Sequence, residues 1–323
     1  MSTVIQQLTS RAPATADRGG GTVPPRDRRT VAARREAAAG YLFILPLFLG
    51  VTAFCFYPLV RNLYLSTTRT GIFTGQTFVG ADQYQRLLGD GEFWRSLINT
   101  FAYAGIALLG IPVSLVVAGL LNQRGLRFLS AYRVVYFLPV VTMPVAVGMI
   151  WKLLYNGDYG VLNQLLGTVG LDGAQWLSGP HLVIVAIGLV GVWSGIGHHV
   201  VLILAALQNV PRDLLEAATL DGAGPVRRFR SVSVPLISPT LFLVSVLTVI
   251  GAMQTFDLVL IMMGTSNPAT ESAQTIVYYF FQQALIHHDR GYAAAIATAL
   301  LVVNMVLTGA QFTLQRKWVH DGE

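Results

Sequence analysis

Residues 216–240 read EAATLDGAGPVRRFRSVSVPLISPT. The stretch holds two carboxylates, three arginines, a Gly-Ala-Gly-Pro break and two further prolines, and it separates two long apolar runs. Upstream, Asn209-Val210-Pro211-Arg212-Asp213 is a polar start, with proline near a first helical turn. Leu214, Leu215 and Ala218 give an apolar stripe at helical spacing. Gly222, Gly224 and Pro225 stop that helix and force a turn. Val226 to Val232 can form a second short helix that exposes Arg227, Arg228 and Arg230, and Pro235 and Pro239 mark the return to apolar sequence. On this chemistry the segment is an amphipathic helix-turn-helix. Two uses remain open for it, a connector lying on anionic lipid headgroups or a docking element for a protein.

The rest of the chain says what the segment interrupts. Of 323 residues, 53% are hydrophobic and 12% charged, against about 25% charged in soluble domains. That balance predicts an all-α polytopic membrane protein. Six runs reach the ~20 residues that a spanning helix needs: 41–63, 97–121, 134–155, 181–208, 237–263 and 292–315. Pro46, Pro58, Pro112, Pro139 and Pro144 fall inside them, which membrane helices tolerate where neighbours meet the freed carbonyls. Residues 273–286, AQTIVYYFFQQALI, are too short to span and fit a helix at the interface or tucked between others. Residues 1–40 lack large apolar groups and read as a mobile basic tail. They do not resemble a cleavable signal peptide, because the apolar run begins only at Tyr41. The domain division expected is therefore a tail, 1–40, and a membrane domain, 41–323, with the loop at 209–236.

The formal net charge is +6. In a soluble chain this would raise nucleic acid as a partner, but here the cations sit in short stretches between apolar runs, so no nucleic acid is expected. Sixteen of the 22 lysines and arginines fall in the tail, the 122–133 and 209–236 loops and the C-terminal end. The positive-inside rule then puts both termini and the 209–236 segment in the cytoplasm. Cys55 stands alone, so there is no internal disulfide.

Absences narrow the function. Lys152 and Lys317 are the only lysines and neither follows a glycine, so there is no phosphate-binding loop of the Gly-Lys-Ser/Thr kind. Ionisable residues within the spans are few. Asp257 reads as a helix-end residue or a pathway group, and His198 and His199 as interhelical hydrogen bonders or substrate contacts. Adjacent histidines point about 100° apart on a helix and no third ligand is evident, so no metal site is expected. No catalytic constellation is recognisable, and the chain is expected not to be an enzyme.

Glu216, Ala217, Ala218, Asp221, Gly222, Ala223, Phe229, Pro235 and Pro239 resemble, position by position, the EAA loop of binding-protein-dependent ABC transporter permeases. Phe78–Thr100, Tyr132–Gly167 and Gly291–Ala297 (GYAAAIA) are similar to the carbohydrate-uptake subfamily, in particular the larger maltose-type and the glycerol-phosphate A-type subunits. The resemblance implies a type I importer permease of six spans whose EAA loop is a coupling helix. Glu216 would be its polar contact to a cytoplasmic ATPase, and Gly222 would permit the turn. It further implies a second homologous permease in a heterodimer, two ATPase subunits that bind ATP and Mg2+, an extracytoplasmic substrate-binding protein, and multi-pass residence in the bacterial inner membrane. No cofactor would be bound by this chain. Positions resembling the sugar-contact region are Ser194, Gly195, His198, Gln254 and Thr255, with Asp257 close by. The fourth span departs from the relatives' Trp-Lys-Gly-x-Pro-Phe, reading Trp193-Ser194-Gly195-Ile196-Gly197-His198, and Gly264-Thr265-Ser266-Asn267-Pro268 replaces their Thr-Gly-Gly-Gly-Pro. The expected function is inward transport of a sugar or sugar derivative. The alternatives are a permease of the same family for another solute, or a stand-alone secondary transporter.

Overall fold

The computed structural model describes residues 26–71, 75–123, 129–180, 182–264 and 267–318. It divides into a first unit, up to Leu59, and a second from Val60 onward. Helix α1 (Arg26–Val51) runs through a π-helical turn, Thr52–Phe56, into α2 (Tyr57–Leu65). The expected tail therefore needs correction at its C-terminal side, because residues 26–40 are helical. Alanine, arginine and glutamate are strong helix formers, and a stretch that cannot build a core can still extend a spanning helix. Residues 1–25 lie outside the described residues.

In the second unit, β1 (Thr68–Gly71) and β2 (Gly75–Phe78) form an antiparallel hairpin that the periodicity did not announce. Helices α3 (Asp82–Gly89), α4 (Gly91–Leu108) and α5 (Gly110–Leu121) follow, then α6 (Leu129–Val141), α7 (Pro144–Leu154) and α8 (Val161–Thr168). The long α9 (Val183–Gln208) leads to α10 (Arg212–Leu220), α11 (Pro225–Arg228), a π-helical stretch Phe229–Ser233, and α12 (Val234–Leu236). The chain returns through α13 (Ser238–Met253), α14 (Asp257–Met263), α15 (Thr270–Ala273) and α16 (Ile276–Phe281), and ends in α17 (Arg290–Trp318). Among the described residues, four helices are long and apolar enough to cross a membrane: Glu36–Leu65, Gly91–Leu121, Val183–Gln208 and Arg290–Gln315. Two bent pairs raise the number to six if each counts as one span.

Several expected spans are not single rods. The α6–α7 pair bends by 101°, because Pro144 forces Met143 into extended backbone (φ −60°, ψ 135°). The second span hitches at Leu109, where Pro112 cannot donate to the carbonyl one turn back. The run expected over 237–263 is broken at Gln254–Phe256, and the freed carbonyl of Thr255 accepts from Thr275 Oγ1 at 2.8 Å. Two wide π turns end one residue before a proline: Tyr57 N donates to Thr52 O ahead of Pro58, and Val234 N to Phe229 O ahead of Pro235. The proline ring would clash with the carbonyl four residues back, and widening the turn relieves the clash.

Helix α9 lies at the centre of the second unit, packed on α4, α5, α6 and α13. Its glycines make that possible, since small residues let membrane helices approach closely. A side-chain carbon on Gly188 would lie 2.8 Å from Ile106, and one on Gly197 would meet the backbone carbonyl of Tyr136 in α6. Helix α16 is buried between α4 and α17, the tucked option of the two expected for the short apolar run.

A polar brace ties α3 and α4 to the chain around α17. The Asp90 carboxylate accepts from the hydroxyls of Tyr279 and Tyr292 and from the Glu92 amide. Arg86 stacks 3.9 Å above the Tyr292 ring and pairs with Asp289 at 2.6 Å. Burial pushes the Asp90 carboxyl up, but the two tyrosines and the amides of Glu92 and Phe93 together outweigh it and hold it below the usual carboxylate range. A carboxylate lowered in this way stabilises above the ordinary carboxylate range, and that contribution is lost as pH falls through its lowered value. The melting temperature of the purified chain in detergent should therefore drop below about pH 4. Asp90→Asn should lower it at pH 7 and flatten that acid limb; an unchanged melting temperature at pH 7 would remove Asp90 from the brace.

Candidate functional site

Helix α10 ends in a hydrogen-bonded C-cap that accounts for the spacing of the motif. Gly222 sits at φ +76°, its N–H donates to Thr219 O at 3.0 Å, and Ala223 N–H donates to Ala218 O at 2.9 Å. These are the paired bonds of a Schellman motif. Ala218 thus supplies a capping carbonyl, Asp221 the C-cap, Gly222 the left-handed residue and Ala223 the closing amide. Gly224 is extended, and Pro225 opens α11 where its missing N–H costs nothing. Arg228 Nη1 donates to Thr219 Oγ1 at 2.6 Å, joining the two arms of the turn.

The two faces of this segment differ. Leu215, Ala218, Ala223 and Phe229 are half-buried, and Leu215 and Phe229 pack against the buried cluster of Ala118, Val200, Ile203, Leu207 and Ile237. Glu216, Ala217 and Asp221 point outward, together with three large apolar residues, Leu214, Val226 and Leu220, the last 90% exposed. Neither ion pair found among the described residues involves Glu216. Apolar side chains set around a free carboxylate form a surface suited to a protein partner. Phe229 closes against Gly119 of α5, where a side-chain carbon would come within 2.9 Å of the ring. Pro235 lies in α12, just past the π stretch.

The candidate pathway residues fall into two groups. Ser194, Gly195 and His198 are on α9. His198 is exposed, on the side of α9 opposite exposed Leu189. Ser194 is half-buried and its Oγ has no partner among the described residues. Gly195 faces the ring of His199. Gln254, Thr255 and Asp257 cluster at the break between α13 and α14, with Gln254 and Asp257 exposed and Thr255 half-buried. Buried His199 joins α9 to α13 by a 3.0 Å bond between Nε2 and Thr248 Oγ1, so of the two adjacent histidines it is the interhelical one. Trp193 stands edge-on to Trp151 at 5.6 Å, and Trp151, Tyr155 and Trp176 continue the aromatic row. Gly119 and Thr248 were not picked out from sequence. Gly119 is one of three glycines in the 97–121 run, with Gly105 and Gly110, and nothing local sets it apart from them.

Comparison with known proteins gives consistent matches. A family model described as "Binding-protein-dependent transport system inner membrane component" matches residues 74–320. The arabinooligosaccharides transport system permease protein AraP of Halalkalibacterium halodurans is 33% identical over 282 residues, 85% of this chain and 86% of that protein. The trehalose/maltose transport system permease protein MalF of Thermococcus litoralis is 32% identical over 280 residues, 84% of this chain and 92% of that protein. A chain of a bacterial ABC transporter involved in the import of the acidic polysaccharide alginate shares the fold, with a TM-score of 0.78, 22% identity, and coverage of 90% of this chain and 99% of that one.

Proposed function

Because the chain belongs to the family of binding-protein-dependent transport system inner membrane components, we propose that it carries a sugar or sugar derivative inward as one half of an ATP-driven pathway. The chain is a multi-pass, non-catalytic permease subunit of the inner membrane, and the family's dependence on a binding protein implies an extracytoplasmic partner that delivers cargo. The sugar assignment draws on relatives whose cargoes are arabinooligosaccharides and trehalose or maltose. A second, homologous permease completes the pathway, and two ATPase subunits, which bind ATP and Mg2+, dock beneath the pair. Both termini and the 209–236 segment lie on the cytoplasmic side, a reading supported by the sixteen cations gathered in those stretches. Hydroxyl-rich cargo needs a few hydrogen-bonding groups in a mostly apolar cleft; Ser194, His198, Gln254 and Thr255 supply them beside Gly195, with Asp257 at the same break as Gln254.

The observation that carries this reading is the capped α10, which holds Glu216 outward among exposed Leu214, Leu220 and Val226 while Phe229 and Leu215 anchor it to the spans. When the ATPases close on ATP, they draw this helix with them. Packed helices move as bodies, so the displacement reorients the pathway.

The test is recovery of the tagged chain from gently solubilised membranes. A second permease, an ATPase and a sugar-binding protein should accompany it, and the binding protein is then screened for its ligand. Recovery of the chain alone from transport-competent membranes would favour a stand-alone carrier, and a binding protein that retains peptides or amino acids would change the cargo. Glu216→Ala should leave the amount of chain in the membrane unchanged and reduce the recovered ATPase about tenfold. Undiminished ATPase would remove Glu216 from the contact.

A further inference from the structure

We propose that Gly119 is the socket through which α10 drives α5, with the Phe229 ring as the ball, and that this contact makes ATP hydrolysis answer to the loaded binding protein. The proposal rests on the functional reading above. Two anchors join the helix-turn-helix to the spans, Leu215 and Phe229, and Phe229 is the one seated over a residue without a side chain. The space a side-chain carbon would take at Gly119 is filled by the far edge of the ring, with Cε2 and Cζ both at 2.9 Å. Val116 and Leu120 flank the seat on α5 and Pro225 and Val226 on the segment, lining a groove of about 580 Å³.

The backbone around the ball is arranged to pass force on. Arg228, the residue before Phe229, is bonded to Thr219 of α10 at 2.6 Å, so movement of α10 reaches Phe229 without slack from the turn. Phe229 also begins the π stretch, a wide turn often found where helices serve function. The turn rotates the ring out of register with the helix that follows. A seat of this kind lets the ring pivot while it pushes, which a fixed hydrogen bond would not. Gly119 is a positioning residue in this scheme; it touches neither cargo nor nucleotide.

The test uses the full assembly, purified through the tagged chain with its ATPase, and measures ATP hydrolysis with and without the binding protein recovered alongside. Gly119→Leu fills the socket and Phe229→Ala removes the ball. With hydrolysis expressed per ATPase recovered, each should cut stimulation by the binding protein at least fivefold. Together they exchange ball and socket, and stimulation should return to within twofold of the original. Undiminished stimulation in Gly119→Leu, or a double variant no better than the single ones, would overturn the proposal. If Gly119→Leu fails to insert, Phe229→Ala decides alone, because it adds no bulk. Failure of the unaltered chain to recover any ATPase would instead bring down the functional reading, and this proposal with it.

Discussion

Gly222→Pro should abolish uptake of the sugar that the binding protein retains, by a hundredfold or more, with the chain still present in the membrane at its normal level. The residue adopts φ +76°, and proline is fixed near −65°. Its N–H donates to Thr219 O, and proline has none to give. The cap of α10 therefore cannot form, and Ala223 loses its bond to Ala218 as well. The damage stays local, because the segment lies outside the spans and a side chain at position 222 meets no atom within 4 Å. Gly222→Ala is the control. It keeps the N–H and adds only the left-handed penalty of about 1–2 kcal/mol, so uptake should fall severalfold at most. Equal loss in both variants would mean that the position needs small size, and normal uptake in Gly222→Pro would mean that the cap is dispensable.

Gly197→Leu should have the opposite signature, with the chain itself failing to accumulate in the membrane. A side-chain carbon there meets the carbonyl of Tyr136, which is backbone and cannot swing aside, and the side chain of Val140 behind it. Overpacking typically costs about 1–3 kcal/mol, and where the obstacle is a helix backbone the whole of α6 has to move away from α9. Gly105→Leu is the matched control, since nothing lies within 4 Å of that position in α4. The chain recovered from membranes, measured by immunoblot, should fall at least tenfold for Gly197→Leu and less than twofold for Gly105→Leu. Normal accumulation of Gly197→Leu would show that α6 and α9 do not meet as described.

The residues of the motif were legible because their chemistry is local. A left-handed glycine, a carbonyl four residues before it and a proline shortly after define a cap within one short segment. The apolar runs were legible for a similar reason, since length and hydropathy suffice to place a span. What the sequence hid depends on partners far along the chain. The break at Gln254–Phe256 contains neither glycine nor proline, and its freed carbonyl is met by Thr275 from another element. Helix over residues 26–40 was missed because composition was weighed for core formation, whereas propensity decides whether a spanning helix can run on. Of the two histidines, only packing could say that His199 faces Thr248 while His198 faces outward. The Gly119–Phe229 contact belongs to the same class, since neither residue signals the other.

The break between α13 and α14 removes the rigid link along that span. A continuous rod would carry any tilt imposed at the α10 end straight to its far end. Here α13 stops at Met253 and α14 restarts at Asp257, with α14 seated on α7 through Ile261 against Gly148. The two halves are therefore held by different neighbours, α13 by α4 and α9 and α14 mainly by α7, and Gln254 sits at the joint between them.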